Sequence, residues 1–152
     1  MLRKLLVAMP ALALAFTATT QDSAFAEGGA REIRVTSNNM TSAQLLEQSR
    51  TTPLVISFGA EWCGPCHLLT RDINNYLATT DPDPFIYHYI DVDAENGAEL
   101  SRAFNAPPRV VPHVVVVCGG QIQGRAQGYG PPTGLAIEDA LATPACSSIT
   151  PR

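Results

Sequence analysis

Two cysteines in the stretch Glu61-Trp62-Cys63-Gly64-Pro65-Cys66-His67 are the residues of this chain best suited to chemistry. At that spacing two thiols can close a disulfide within a tight helical turn. At a helix N-terminus the backbone dipole favours a thiolate and lowers a cysteine's pKa. The stretch follows an apolar, β-prone run, Leu54-Val55-Ile56-Ser57-Phe58, and leads into a helix-like segment. A C-x-x-C pair between a strand and a helix reads as a redox motif. Cys63 is then expected to be the exposed nucleophile. Cys66, one turn deeper, is expected to attack the mixed disulfide and release the product.

The elements that must hold this pair follow from periodicity and turn chemistry. Arg31 to Thr36 reads as an edge strand, followed by a turn at Ser37-Asn38-Asn39. Thr41 or Ser42 can cap a helix running through Arg50, with Leu45 and Leu46 on its buried face. Leu54 to Phe58 has the unbroken apolar character of a central strand. The motif helix spans Cys63 to Ala78, with Leu68, Leu69, Ile73, Tyr76 and Leu77 at helical spacing. Phe85 to Val92 is the next strand, Glu95 to Phe104 a short helix, and Val110 to Val117 a second buried strand. Gly119-Gly120 turns into a strand from Gln121 to Gln127. A last helix opens at Gly130-Pro131-Pro132-Thr133 and runs through Leu141, with Leu135, Ile137 and Leu141 apolar, and Pro144 stops it.

Trp62-Cys63-Gly64-Pro65-Cys66 resembles the active site of the thioredoxin family, and other landmarks agree in order. Phe58 and Ala60-Glu61 resemble the family's approach to the site. Asp91-Val92-Asp93-Ala94-Glu95-Asn96 resembles its acidic segment. Val111-Pro112 and the four valines after His113 resemble its cis-proline and following strand. Gly119-Gly120-Gln121-Ile122 and Gly128 match its hairpin turn and late glycine. The resemblance covers about residues 31 to 143. It implies an α/β, thioredoxin-like fold with a central mixed β-sheet and helices on both faces. It implies a protein thiol–disulfide oxidoreductase working through Cys63 and Cys66 with no dissociable cofactor and no metal. Gly64 and Pro65 would shape the turn. Trp62, Val111 and Pro112 would frame a protein substrate, the backbone before Pro112 pairing with it like an added strand. In this fold Cys118 and Cys146 should reach the same pole, away from the motif, where they are expected to form a second disulfide.

Departures from the family pattern bear on redox poise. Ser57 stands where a buried acid is usual, and its usual lysine companion is Tyr89. Gly59 replaces a tryptophan, His67 a lysine, and Arg71 a kinking proline. Ser57 and His67 are therefore expected to tune the dithiol. His113, in place of a threonine, reads as a solvated residue or a further tuner.

Composition sets the frame. The chain has 152 residues, 45% hydrophobic and 16% charged, which describes one ordinary globular domain. Its formal net charge of −4 argues against nucleic-acid binding, which wants a basic face. Met1 to Ala26 reads as a signal peptide: Arg3 and Lys4, then apolar Leu5 to Ala18, then Ala24-Phe25-Ala26 as a small-x-small cleavage site. An uncleaved anchor is the alternative. Cleavage would leave a domain over residues 27–152 with a core near 31–143 and a short C-terminal tail. Export implies a periplasmic or secreted protein in an oxidising compartment. A monomer is expected, exchanging with protein thiols and disulfides and coupled to a membrane or thiol-protein electron partner.

Rival readings use the same letters. Cys63-Gly64-Pro65-Cys66-His67 is also the c-type haem pattern, with His67 as one axial ligand, though the remaining methionine, Met40, lies upstream. A zinc half-site lacks a second C-x-x-C. An inert structural disulfide and a non-catalytic peptide-binding module on the same fold remain as further alternatives.

Overall fold

The computed structural model of the chain describes residues 35–80 and 82–149. The expected leader, residues 1–26, and the start of the first strand, residues 31–34, lie outside the described residues.

Five strands form one mixed sheet in the order β1-β3-β2-β4-β5. They are β1 (Val35–Thr36), β2 (Leu54–Gly59), β3 (Ile86–Asp91), β4 (His113–Cys118) and β5 (Gln121–Gln127). β3 runs parallel to both β1 and β2, whereas β4 is antiparallel to β2 and β5. β2 and β4 are buried at every position, which is why their sequences are mostly apolar rather than alternating, with Ser57 and His113 as the polar exceptions. The β4–β5 hairpin turns at Gly119 and Gly120, with φ of +62° and +78°, a backbone region that disfavours side chains.

The two sheet faces build two cores with the strand period of two. Leu54, Ile56 and Phe58 of β2 and Val115 and Val117 of β4 face α1 (Ser42–Gln48) and α3 (Gly97–Ala103) through Leu45, Leu100 and Phe104. Val55, Val114 and Val116 face α2 (Gly64–Thr79) and α4 (Pro131–Leu141) through Leu69, Ile73, Leu77 and Ile137. The implied fold class, a mixed sheet with helices on both faces, is the observed one. Burying each such aliphatic side chain stabilises the fold by roughly 1.5–3 kcal/mol.

Several boundaries differ from the sequence reading. Thr41 caps α1 in a reciprocal capping box with Gln44, and the helix ends at Gln48. A 3-10 turn at Ser37–Asn39 replaces the simple turn. Leu68 and Tyr76 do not join the core; they are 39% and 50% exposed. The buried stripe of α2 is instead Cys66, Leu69, Thr70, Ile73, Asn74 and Leu77, so polar Thr70 and Asn74 occupy positions the apolar count assigned elsewhere. Leu135 of α4 is likewise exposed. β4 starts at His113, not Val110, because Val110 closes a turn to Pro107 and Pro112 has no N–H for the ladder. Pro144 opens a further short helix, α5 (Pro144–Ser147), since a missing N–H is harmless in a first turn.

Candidate active site

β2 ends at Gly59 and the chain turns through Ala60 to Cys63, whose amide donates to Ala60 O at 3.0 Å. Cys63 is the N-cap of α2, Gly64 and Pro65 are its first two residues, and Cys66 follows. Pro65 has no amide to leave unsatisfied there. A Cβ at Gly64 would meet nothing within 4 Å, so the turn does not demand glycine; its lack of a side chain leaves the surface beside Cys63 open.

Cys63 and Cys66 are joined in a disulfide, with Cα atoms 5.3 Å apart. The Cys66 amide points at Cys63 Sγ from 3.2 Å. On reduction, that N–H and the positive end of α2 would stabilise a thiolate on Cys63. The expected contrast in exposure is small: Cys63 is 4% exposed and Cys66 is fully buried. Cys63 is thus not an exposed side chain, because both cysteines pack into the core that includes Phe58 and Ala60, with Val111 against it.

The Val111-Pro112 bond is cis. His113 pairs with Phe58, so the turn before β4 sits at the same end of the sheet as the loop leaving β2. The Pro112 carbonyl accepts from Gly128 N–H at 2.8 Å, which ties the turn to the end of β5. Trp62 is 70% exposed, yet its Nε1–H donates to Asp93 Oδ2 at 2.7 Å. Asp93 is held in turn: its amide donates to Asp91 Oδ1, and Asn38 bonds the Asp91 backbone on both sides. The acidic segment therefore anchors the indole, a link across 31 positions that spacing does not reveal.

His67 is exposed, and its Nε2 lies 2.7 Å from the Glu61 carbonyl, where Nε2–H donates. That bond fastens the loop before Cys63. Ser57 is fully buried opposite Tyr89 and Val114, and its hydroxyl has no hydrogen-bond partner. Tyr89 therefore does stand beside Ser57. Its ring also fills the place left by Gly59, where a Cβ would lie 2.7 Å from Tyr89 Oη. His113 is not solvated. It is 3% exposed, neither ring nitrogen has a partner, and burial, then the charge of Arg125, lowers its pKa, which keeps it neutral.

At the far end of the sheet Cys118 and Cys146 form a second disulfide, tying β4 to α5. Both are fully buried. Among the described residues no group of three or more His, Cys, Asp or Glu side chains could hold a metal ion, and no helix is long and apolar enough to cross a membrane.

Known proteins share this arrangement. A chloroplastic thioredoxin-like protein of Nicotiana benthamiana, CITRX1, is 32% identical over 59 residues, 39% of this chain. The chain spans about a third (31%) of the length of that curated relative. Schistosoma mansoni thioredoxin superposes with a TM-score of 0.53 at 26% identity, covering 64% of this chain and 87% of that one. Spinach chloroplast thioredoxin F does so with a TM-score of 0.53 at 25% identity, over 65% and 85%. The family model described as Thioredoxin matches residues 33–138. With most of its length matched and the disulfide, helix start and cis-proline turn in place, the chain belongs to the thioredoxin family.

Proposed function

We propose that this protein exchanges disulfides with protein substrates. The observation that carries the reading is a disulfide whose first sulfur sits at a helix N-terminus and accepts a backbone N–H. In the reducing direction Cys63 thiolate attacks one sulfur of a substrate disulfide, forming a mixed disulfide and releasing the other sulfur as thiolate. Cys66 then loses its proton and attacks Cys63 Sγ. The substrate leaves with two thiols, and the Cys63–Cys66 bond carries the two electrons' worth of oxidation. In the oxidising direction the same steps run backwards. Trp62, held by Asp93, and the backbone before Pro112 flank the route to Cys63 and would receive the substrate chain. Gly64 leaves that approach clear.

The proposal extends to setting. The composition of Met1 to Ala26 supports export, hence a periplasmic or secreted enzyme recharged by a membrane or thiol-protein partner. The test of the activity is insulin-disulfide reduction with dithiothreitol. Catalysis by wild type that vanishes in Cys63→Ser supports exchange. A wild type no faster than dithiothreitol alone would make the fold a non-catalytic peptide-binding module. Intact mass of exported protein tests cleavage after Ala26.

A further inference from the structure

Away from the cysteines, α2 and α4 leave a cavity of about 480 Å³ between them. Its lining includes no residue of the Trp62–Cys66 loop or the Val111–Pro112 turn. The buried side chains of Leu69, Ile73 and Ile137 line it beside Tyr76 and Phe85, whose rings stack with centroids 6.1 Å apart and planes 6° apart. Polar residues line it as well: Asp72 of α2, Glu138 of α4 and, just before α4, Tyr129, whose hydroxyl donates to Asp72 Oδ2. That hydrogen bond, above all, holds Asp72 below the usual carboxylate range. Arg71 touches the other Asp72 oxygen at 3.2 Å, but no lysine, arginine or histidine lines the cavity. An apolar body with a few convergent polar groups at this volume is the ordinary form of a small-molecule site.

Gly134 supplies an independent observation. It lies inside α4, where only proline is a poorer helix residue, and it lines the same cavity. A Cβ there would meet no atom within 4 Å. Neither the backbone nor a neighbour asks for glycine at this point. Glycine leaves that part of the cavity rim without a side chain.

We propose that this cavity binds a small amphipathic organic cation, an aryl- or alkylammonium. Its apolar body would lie on Leu69, Ile73, Ile137 and the Tyr76–Phe85 pair, and its ammonium group at the Asp72 and Glu138 carboxylates. Aromatic faces attract such cations, and no basic side chain lines the cavity itself, so Glu138 and the Asp72 oxygen not bound by Arg71 are its anionic contacts. The volume takes one ring-sized body.

Three probes share one body and differ in charge: 4-phenylbutylamine, 4-phenylbutanol and 4-phenylbutyrate. Each is titrated into the oxidised full-length protein and followed by amide NMR. The amine should bind saturably, shift resonances of α2 and α4, and bind about tenfold more tightly than the butyrate. Gly134→Leu should fill the cavity and weaken amine binding by about tenfold or more, with an unchanged or raised melting temperature. If that variant melts lower, Asp72→Asn with Glu138→Gln decides: its affinities for amine and alcohol should become equal. No saturable amine binding at millimolar concentration overturns the proposal. So do equal affinities for the three probes, amine binding unchanged in a stably folded Gly134→Leu, or an amine preference that survives loss of both carboxyl groups.

Discussion

Cys63–Cys66 closes over a separation of three residues at the start of α2, whereas Cys118–Cys146 closes over 28 between β4 and α5. The separation decides what breaking each bond costs. In the chain-entropy model a loop of 28 residues stabilises the fold by about 3–4 kcal/mol, and the short loop by only about 1–2 kcal/mol. The first bond can therefore open and close with little change in the fold. Surroundings differ as well. Cys63 Sγ receives an amide N–H at a helix start, beside exposed Gly64 and Trp62. Cys118 and Cys146 lie fully buried among Val116, Ile137 and Ala140 in the core under α4. One disulfide is built to be exchanged and the other to staple, and the same covalent bond serves both because loop length and position, at a helix start or deep under α4, differ.

The largest effect expected is on exchange itself. Cys63→Ser should abolish turnover, and Cys66→Ser should accumulate mixed disulfides with substrates, seen as thiol-sensitive bands on non-reducing gels. Capture by the Cys63 variant and none by the Cys66 variant would reverse their roles.

Replacing both Cys118 and Cys146 with alanine should do the opposite. Denaturant unfolding should show a loss of about 3–4 kcal/mol, with insulin reduction close to wild type below the melting transition. A double variant that keeps its stability but loses exchange would break the comparison.

The stability side of the comparison also has a pH window. His88 is 2% exposed, with Nδ1 facing the Ser37 hydroxyl and Nε2 at 2.8 Å from Gln48 Oε1. Gln48 Oε1 can only accept, so Nε2 carries the proton and Nδ1 accepts from Ser37. Burial pushes the ring pKa down to about 4. The unfolded chain then binds a proton more readily than the folded one. The neutral ring's contribution is complete above pH about 6.5 and is lost as pH falls toward about 4, a loss of roughly 3 kcal/mol. His88→Leu should flatten the unfolding free energy across that window. An equally steep acid loss in the variant would place the titration elsewhere.

The smallest effect concerns poise. A buried carboxylate near the dithiol disfavours thiolate, and Ser57 offers none. The reduced form should be correspondingly more stable and the potential higher than the −270 mV or so of thioredoxin. Ser57→Asp should lower it, by about 30 mV for each 1.4 kcal/mol of repulsion, when both proteins are equilibrated with glutathione. Equal potentials, or a wild type at or below about −270 mV, would contradict this reading.

The motif, the order of elements and the buried strands were legible because each leaves a local mark: spacing, punctuation by glycine and proline, or an unbroken apolar run. The Val111-Pro112 turn and the Cys118–Cys146 pair came through resemblance, since neither a cis bond nor a pairing has a local signature. What spacing missed depends on partners distant in sequence. Leu68 and Tyr76 sit at helical spacing, but the sheet meets the stripe through Thr70 and Asn74 instead. His113 is buried because β2 and β5 flank it on both sides. Asp93 holds Trp62 only through the β3–α3 loop, and the α2–α4 cavity exists only once those helices pack on one face.

The most direct test is an electron count in wild-type protein. Protein reduced just enough to open one disulfide is mixed with oxidised insulin, quenched with an alkylating agent and mapped by peptide mass. The account predicts that Cys63 and Cys66 are labelled in an aliquot quenched before mixing and unlabelled in one quenched afterwards. Two insulin thiols should appear per protein, and Cys118–Cys146 should stay intact throughout. Label on Cys118 and Cys146, or a Cys63–Cys66 pair that stays reduced while insulin stays oxidised, would contradict it.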